Sequence, residues 1–306
     1  ILINRLSTFL ELSETEIILY LLSAFLLFYI FKIIFLTFYN WFESNFLYSY
    51  KEYLSSKVFK EYLNQNFSYF YNRNSSELIR NLMTEVDQFI RYLVSFLKLA
   101  LEIVVAIGIF SLLAYVDLYF AISITIIFLF ISAIYFFSIR EKLNAWGMQR
   151  QSNIKKRIQF MQEGLGGIKI IKLLGRENFF FNKFKIHNIN LSQVSMKAHF
   201  FQNMPRLLVE LVGIFILTFA LVILYYSGRG IIEITQILTV YVAASFRIFP
   251  SINRIISSLQ FMKLSYPAIN VLHDELKNFK KETQTFYEEF SFNKKIFIDI
   301  KKFTYP

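Results

Sequence analysis

LYFAISITIIFLFISAIYFFSI, residues 118–139, runs for 22 positions without a charged side chain. At about 1.5 Å per helical residue it covers roughly 30 Å, the thickness of a bilayer's hydrocarbon. Soluble cores rarely need unbroken apolar runs longer than about 18 residues. Three more runs match it: Ile17 to Tyr39 with only Lys32, Leu93 to Val116 with Lys98 and Glu102, and Leu207 to Ser227 with only Glu210. A fifth, Ile231 to Phe249, is broken by Glu233, Thr235, Gln236, Thr239, Ser245 and Arg247, the pattern of a span facing a wet cavity. The 306 residues are 55% hydrophobic and 19% aromatic, with mean hydropathy +0.43. A multi-pass membrane protein is the first expectation.

Basic residues set the orientation. Six lie between Asn40 and Tyr92 and thirteen between Arg140 and Arg206, so these connections face the cytoplasm. The opposite connections, the turn at Asp117 and Tyr226 to Ile231, hold only Arg229. The net charge of +11 is therefore mostly topological, and no nucleic-acid partner is expected from it. There is no cysteine, so disulfides and thiolate metal sites are excluded, and His187, His199 and His273 lack metal spacing. Ile1 to Glu16 reads as an external loop entering the first visible span from outside, which leads us to expect a lost earlier span.

The two cytoplasmic connections continue the helical spacing of the spans. Phe46, Tyr50, Tyr53, Leu54, Val58, Phe59, Tyr62 and Leu63 recur at that period, with lysines and glutamates between. Each connection then breaks near its middle. The first break is Asn64 to Asn74, carrying Phe67, Tyr69, Phe70 and Tyr71, with Ser75-Ser76-Glu77 as the restart. The second is Gly175 to Phe184, carrying Arg176, Glu177, Phe179 and Phe180. Arms of about 25 to 30 residues place these aromatic tips roughly 35 to 45 Å from the bilayer, where exposed apolar groups mark a contact surface. Beyond a charged linker at 277–289, Ile296 to Tyr305 turns to partial alternation, the pattern of a strand.

Long helical hairpins with mid-hairpin tips, a last span entering a charged linker, and the strand around Phe303-Thr304-Tyr305 resemble the membrane domain of bacterial ABC exporters, running into the first strand of the nucleotide-binding domain. Within that superfamily Asn203 to Glu210, Phe246 to Ile256 and Phe28 to Lys32 are similar to lipid-linked oligosaccharide flippases. The resemblance implies an all-α exporter transmembrane domain over 1–290, spans two to six of six, and a nucleotide-binding strand over 291–306. It implies a homodimer of half-transporters in the bacterial inner membrane. ATP with magnesium would be used by a nucleotide-binding domain on the same polypeptide. It places Phe67, Tyr69 and Phe70, and Gly175, Arg176, Glu177, Phe179 and Phe180, on the helices that dock on that domain, and Tyr305 where an aromatic stacks on adenine. No G-x-x-x-x-G-K-[ST] is present, so ATP hydrolysis is not expected of these residues, and Gly164-Leu165-Gly166-Gly167 reads as a bend or a close helix approach.

Intramembrane cations carry the substrate reading. Counted inward, Lys32 and Arg247 lie about 22 and 24 Å below the outer ends of their spans, and Arg206 and Arg254 about 31 and 34 Å. A dimer doubles these four, a set suited to gripping a phosphate or diphosphate headgroup. Lys98 and Glu102, four apart, read as a mutually neutralising pair, and Arg206 with Glu210 could pair likewise. The function expected is export of an anionic lipid-linked oligosaccharide. The alternatives are an exporter of another amphiphile, or a membrane enzyme acting on polyprenyl phosphates, which would need an acidic cluster at one membrane face.

Overall fold

The computed structural model describes residues 14–71, 73–116, 118–226 and 230–279. The long helices are α1 (Glu14–Leu63), α4 (Val86–Val116), α5 (Leu118–Gly166), α7 (Glu177–Tyr226) and α8 (Ile231–Asn278). Short pieces sit at the turns between them: α2 (Phe67–Tyr71), α3 (Ser75–Arg80) with a π-helical turn (Asn81–Glu85) leading into α4, and α6 (Ile168–Leu174). Four helical stretches are long and apolar enough to cross a bilayer, Ile18–Leu63, Ser75–Tyr115, Ala121–Gly166 and Glu177–Ile223. The broken fifth run forms the first part of α8. Among the described residues there is no strand. The predicted strand at 291–306 with Tyr305, the linker beyond Phe279, and the turn at Asp117 lie outside them.

The chain folds this way because each apolar span continues into an arm with a polar face. In α1 every described residue from 18 to 38 is exposed, so that stretch is hydrophobic all round and unpacked within the chain, as a lipid-facing span is. Its far end is different: Leu54, Val58 and Tyr62 close a buried cluster with Val86 of α4 and Leu272 of α8. A second cluster joins Phe128 of α5, Val209 of α7 and Ile256 of α8. Helix α8 is the centre of the bundle, packing on α4, α5 and α7, while α5 and α7 pack on each other.

Two glycines permit the closest approaches. A Cβ on Gly213 of α7 would fall 1.9 Å from the Phe249 ring of α8, and one on Gly147 of α5 would fall 2.5 Å from the Leu264 carbonyl oxygen of α8. At Gly147 the obstacle is backbone, so no side chain fits while the helices stay where they are; at Gly213 it is the tip of the Phe249 ring, which would have to swing aside.

The breaks differ in detail from the sequence expectation. The first restart is capped by Asn74, whose side chain accepts from the Ser76 amide at 3.0 Å, and the aromatic stretch before it forms helix α2 rather than an irregular turn. The second tip lies earlier than expected. Helix α5 ends at Gly166, α6 occupies Ile168–Leu174, and the residues from Glu177 to Phe184 already belong to α7. Gly175 ends α6 at φ +61°, with its amide and that of Arg176 bonded back to the carbonyls of Lys172 and Ile171, a Schellman closure. Of the two readings made of the glycine run at 164–167 the bend is the one seen, at Gly167; Gly164 faces Phe180, but a Cβ there would meet it only at ordinary van der Waals distance.

Candidate functional site

Two grooves meet at Arg254. The first, about 590 Å³, lies between α1, α4 and α8. A polar stripe at helical spacing on α4, Arg91, Ser95, Lys98 and Glu102, forms one wall, and Arg254, Ser257 and Ser258 of α8 form another. The second, about 480 Å³, lies between α7 and α8, and is lined by Arg206, Val209 and Glu210 facing Phe246, Phe249, Asn253 and Arg254. Beside the first groove an apolar cavity of about 150 Å³ opens between Phe110, Leu113, Phe128, Ile248 and Ile252, with Ser251 on its wall.

Charge pairing inside these grooves corrects one sequence expectation. Glu102 does not pair with Lys98. Its buried carboxylate accepts from Arg254, including Nη2 at 3.3 Å, and from Ser251 Oγ at 2.7 Å, joining α4 to α8. Lys98, without an ion pair among the described residues, is left facing the groove. Arg206 does pair with Glu210, Nε to Oε1 at 2.9 Å, along the exposed face of α7. The four expected cations are therefore only partly brought together. Arg206 and Arg254 share the second groove, Lys32 borders neither groove and sits 4.9 Å from the ring of Tyr29, and the side chain of Arg247 lies outside the described residues.

At the far end of the arms the first tip is anchored by a carboxylate. Glu275, near the end of α8, accepts from Tyr69 Oη at 2.5 Å, from Arg73 Nη1 at 2.5 Å and from Asn81 Nδ2 at 3.2 Å. Asn81 also donates to Tyr62 Oη at 3.1 Å, and the Arg73 guanidinium lies 4.3 Å from the centre of the Tyr69 ring. Burial first, then the hydrogen bond to Glu275 and its charge, push the Tyr69 phenol far above the ordinary tyrosine value, so it stays a donor at physiological pH. Tyr69 and Phe70 thus turn toward the arm, while Phe67 and Tyr71 point outward. Lys155 Nζ of α5 meets Glu77 of α3 at 2.5 Å, tying the two arms together.

The second tip presents α6. Ile170, Leu173 and Leu174 are exposed, Leu173 at 87%. Glu177 is held by Lys172 at 3.1 Å across the Gly175–Arg176 turn; Phe179 is exposed and Phe180 half-buried against Gly164. Sequence reasoning missed Leu173 and Leu174, although the seven residues between Gly167 and Gly175, five of them Ile or Leu and only Lys169 and Lys172 polar, were the available signal. It also missed Glu275 and Asn81, whose roles depend on arms distant in sequence.

A bundle of membrane-length helices extended into long arms, with apolar tips at the turns, is the architecture expected of an exporter membrane domain. The family model described as the ABC transporter transmembrane region matches residues 2–250. With most of its length matched in this way, the chain belongs to the ABC transporter transmembrane region family, as a multi-pass membrane protein of exporter fold that serves transport across a membrane together with a nucleotide-binding domain.

Proposed function

We propose that the transported substrate is an anionic lipid-linked oligosaccharide, a polyprenyl-diphosphate glycan, moved across a bacterial inner membrane by a homodimer of this chain. The observation that carries this reading is the position of Arg254, on the border of two grooves, with Arg206 across one and Lys98 and Arg91 across the other. Arginine grips phosphate oxygens bidentately and lysine adds a point charge. Glu102 and Glu210 hold the two arginines until a diphosphate competes for them, and a second copy would double the set. The apolar cavity beyond Ser251 is of the chemistry a polyprenyl segment requires. ATP enters through the nucleotide-binding domain, with Phe67, Leu173 and Leu174 as outward-facing candidates for contact with it.

The test is flipping of a fluorescent polyprenyl-diphosphate glycan by the intact transporter in liposomes. Each charge-assisted hydrogen bond lost is worth about 1.5–3 kcal/mol, so Arg206→Gln and Arg254→Gln should each weaken apparent substrate affinity by roughly 10- to 100-fold. Lys32→Gln and Arg247→Gln test the outer tier in the same assay. If all four variants flip the glycan at the parent rate, the headgroup reading is wrong and export of an uncharged or cationic amphiphile replaces it.

A further inference from the structure

Pro205 lies inside α7 and has no amide hydrogen, so the helical bond that residue 205 would give to the carbonyl of Phe201 cannot form. That carbonyl is taken up from outside the helix. Tyr135 Oη of α5 donates to it at 2.6 Å and Gln260 Nε2 of α8 donates to it at 3.1 Å, with Gln260 Nε2 also 3.4 Å from Tyr135 Oη. Gln260 is fully buried. One orphan acceptor thus joins three helices at the point where α7 is weakest.

The node is incompletely satisfied, and in a matched way. Gln260 Oε1 is a buried acceptor without a donor, and Gln202 Nε2, on the residue next to Phe201, is a buried donor without an acceptor. Buried polar groups left unpaired are costly, and groups of opposite sense on helices already in contact invite exchange of partners. We propose that the node is a two-position latch on a hinge at Pro205. In the position seen, Tyr135 and Gln260 hold the Phe201 carbonyl. In the other, α7 turns about Pro205 and Gln202 donates to Gln260 Oε1. Because Arg206 follows the hinge directly, the turn changes the width of the groove it shares with Arg254. Tyr135, Gln202 and Gln260 are positioning residues of the transport cycle, and the latch holds for any substrate.

These 306 residues hold no cysteine, so labels placed here have no competitor within them, and any cysteine elsewhere in the intact transporter is replaced by serine first. Spin labels at Met196→Cys and Phe215→Cys, both exposed on α7 on either side of Pro205, report its bend through a separation of about 28 Å in a straight helix. In the intact transporter in liposomes, with labelled chains diluted into an excess of unlabelled ones so that distances within one α7 are read, the parent should show two distance populations. Tyr135→Phe should move their ratio at least threefold away from the position seen; should that variant fail to fold, Gln202→Leu remains the independent probe. Gln202→Leu should move the ratio at least threefold the other way, raise the melting temperature and slow transport. Pro205→Ala restores an amide to Phe201, so adding Tyr135→Phe to it should change nothing further. A single distance population, an equal effect of Tyr135→Phe with and without Pro205, or unchanged populations and transport in Gln202→Leu would overturn the latch.

Discussion

Glu102 sits one helical turn from Lys98, yet its carboxylate turns to Ser251 and Arg254 on the neighbouring helix. Four-residue spacing brings two side chains within reach on a helix surface, but an exposed pair of that kind is worth only a few tenths of a kcal/mol. A buried carboxylate gains more from a guanidinium and a hydroxyl that are both fixed in place. The two pairings make different demands. An intrahelical Lys98–Glu102 pair would leave Arg254→Gln without effect on folding. With the interhelical pair, Arg254→Gln leaves a buried carboxylate short of its counter-ion and should destabilise the membrane domain by roughly 2–4 kcal/mol, less than a fully buried pair because Arg254 is itself 46% exposed. Glu102→Gln, which keeps hydrogen-bonding capacity, should cost less than Arg254→Gln, and Lys98→Gln should be neutral. Melting of the three variants in one detergent checks the order; a destabilised Lys98→Gln beside a neutral Arg254→Gln would reverse it.

At the scale of elements, the second tip is built by glycine. Gly175 at φ +61° ends α6 where an L-residue with a side chain would be strained, and the break at Gly167 sets this short helix apart from α5. The result is a small helix whose Leu173 and Leu174 are left uncovered among the described residues. Phe179 and Phe180 divide differently, since Phe180 packs on Gly164. Replacing Leu173 and Leu174 together by Ser should leave melting unchanged and abolish substrate stimulation of ATP hydrolysis in the intact transporter. Phe180→Ala, by contrast, should lower the melting temperature. Full substrate stimulation in the double Ser variant would remove α6 from the coupling surface. The sequence reading placed the tip on the aromatics because large rings are conspicuous, while helix boundaries inside an apolar run depend on backbone geometry that composition does not encode. Spans and arms were legible for the opposite reason. Run length against bilayer thickness and helical spacing are one-dimensional properties. The contacts of Glu275 and of the Phe201 carbonyl were not legible, since they pair residues more than 50 positions apart.

On the scale of the whole molecule, the polar bonds between helices gather along the arms and at the first tip, while the upper part of α1 is left to its surroundings. The π-helical turn at Asn81–Glu85 sits among the arm contacts. It lets Asn81 reach Tyr62 and Glu275 while Glu85, also fully buried, reaches Gln151 at 2.8 Å and Arg80 at 3.2 Å. A π turn holds one residue more than the α turn it replaces, so the helix before it and the helix after it are out of phase by one position. Relative to a continuous α-helix the segment holds one extra residue, and Met83, 68% exposed in its middle, is the position whose deletion would restore the phase. Substituting Met83 by Ala should be silent, whereas deleting it should give a regular helix that can no longer serve Asn81 and Glu85 at once, with a lower melting temperature as the readout. Relatives that align here with a one-residue gap should then lack either the amide at position 81 or the acid at position 85, because without the insertion the two inward faces cannot coexist.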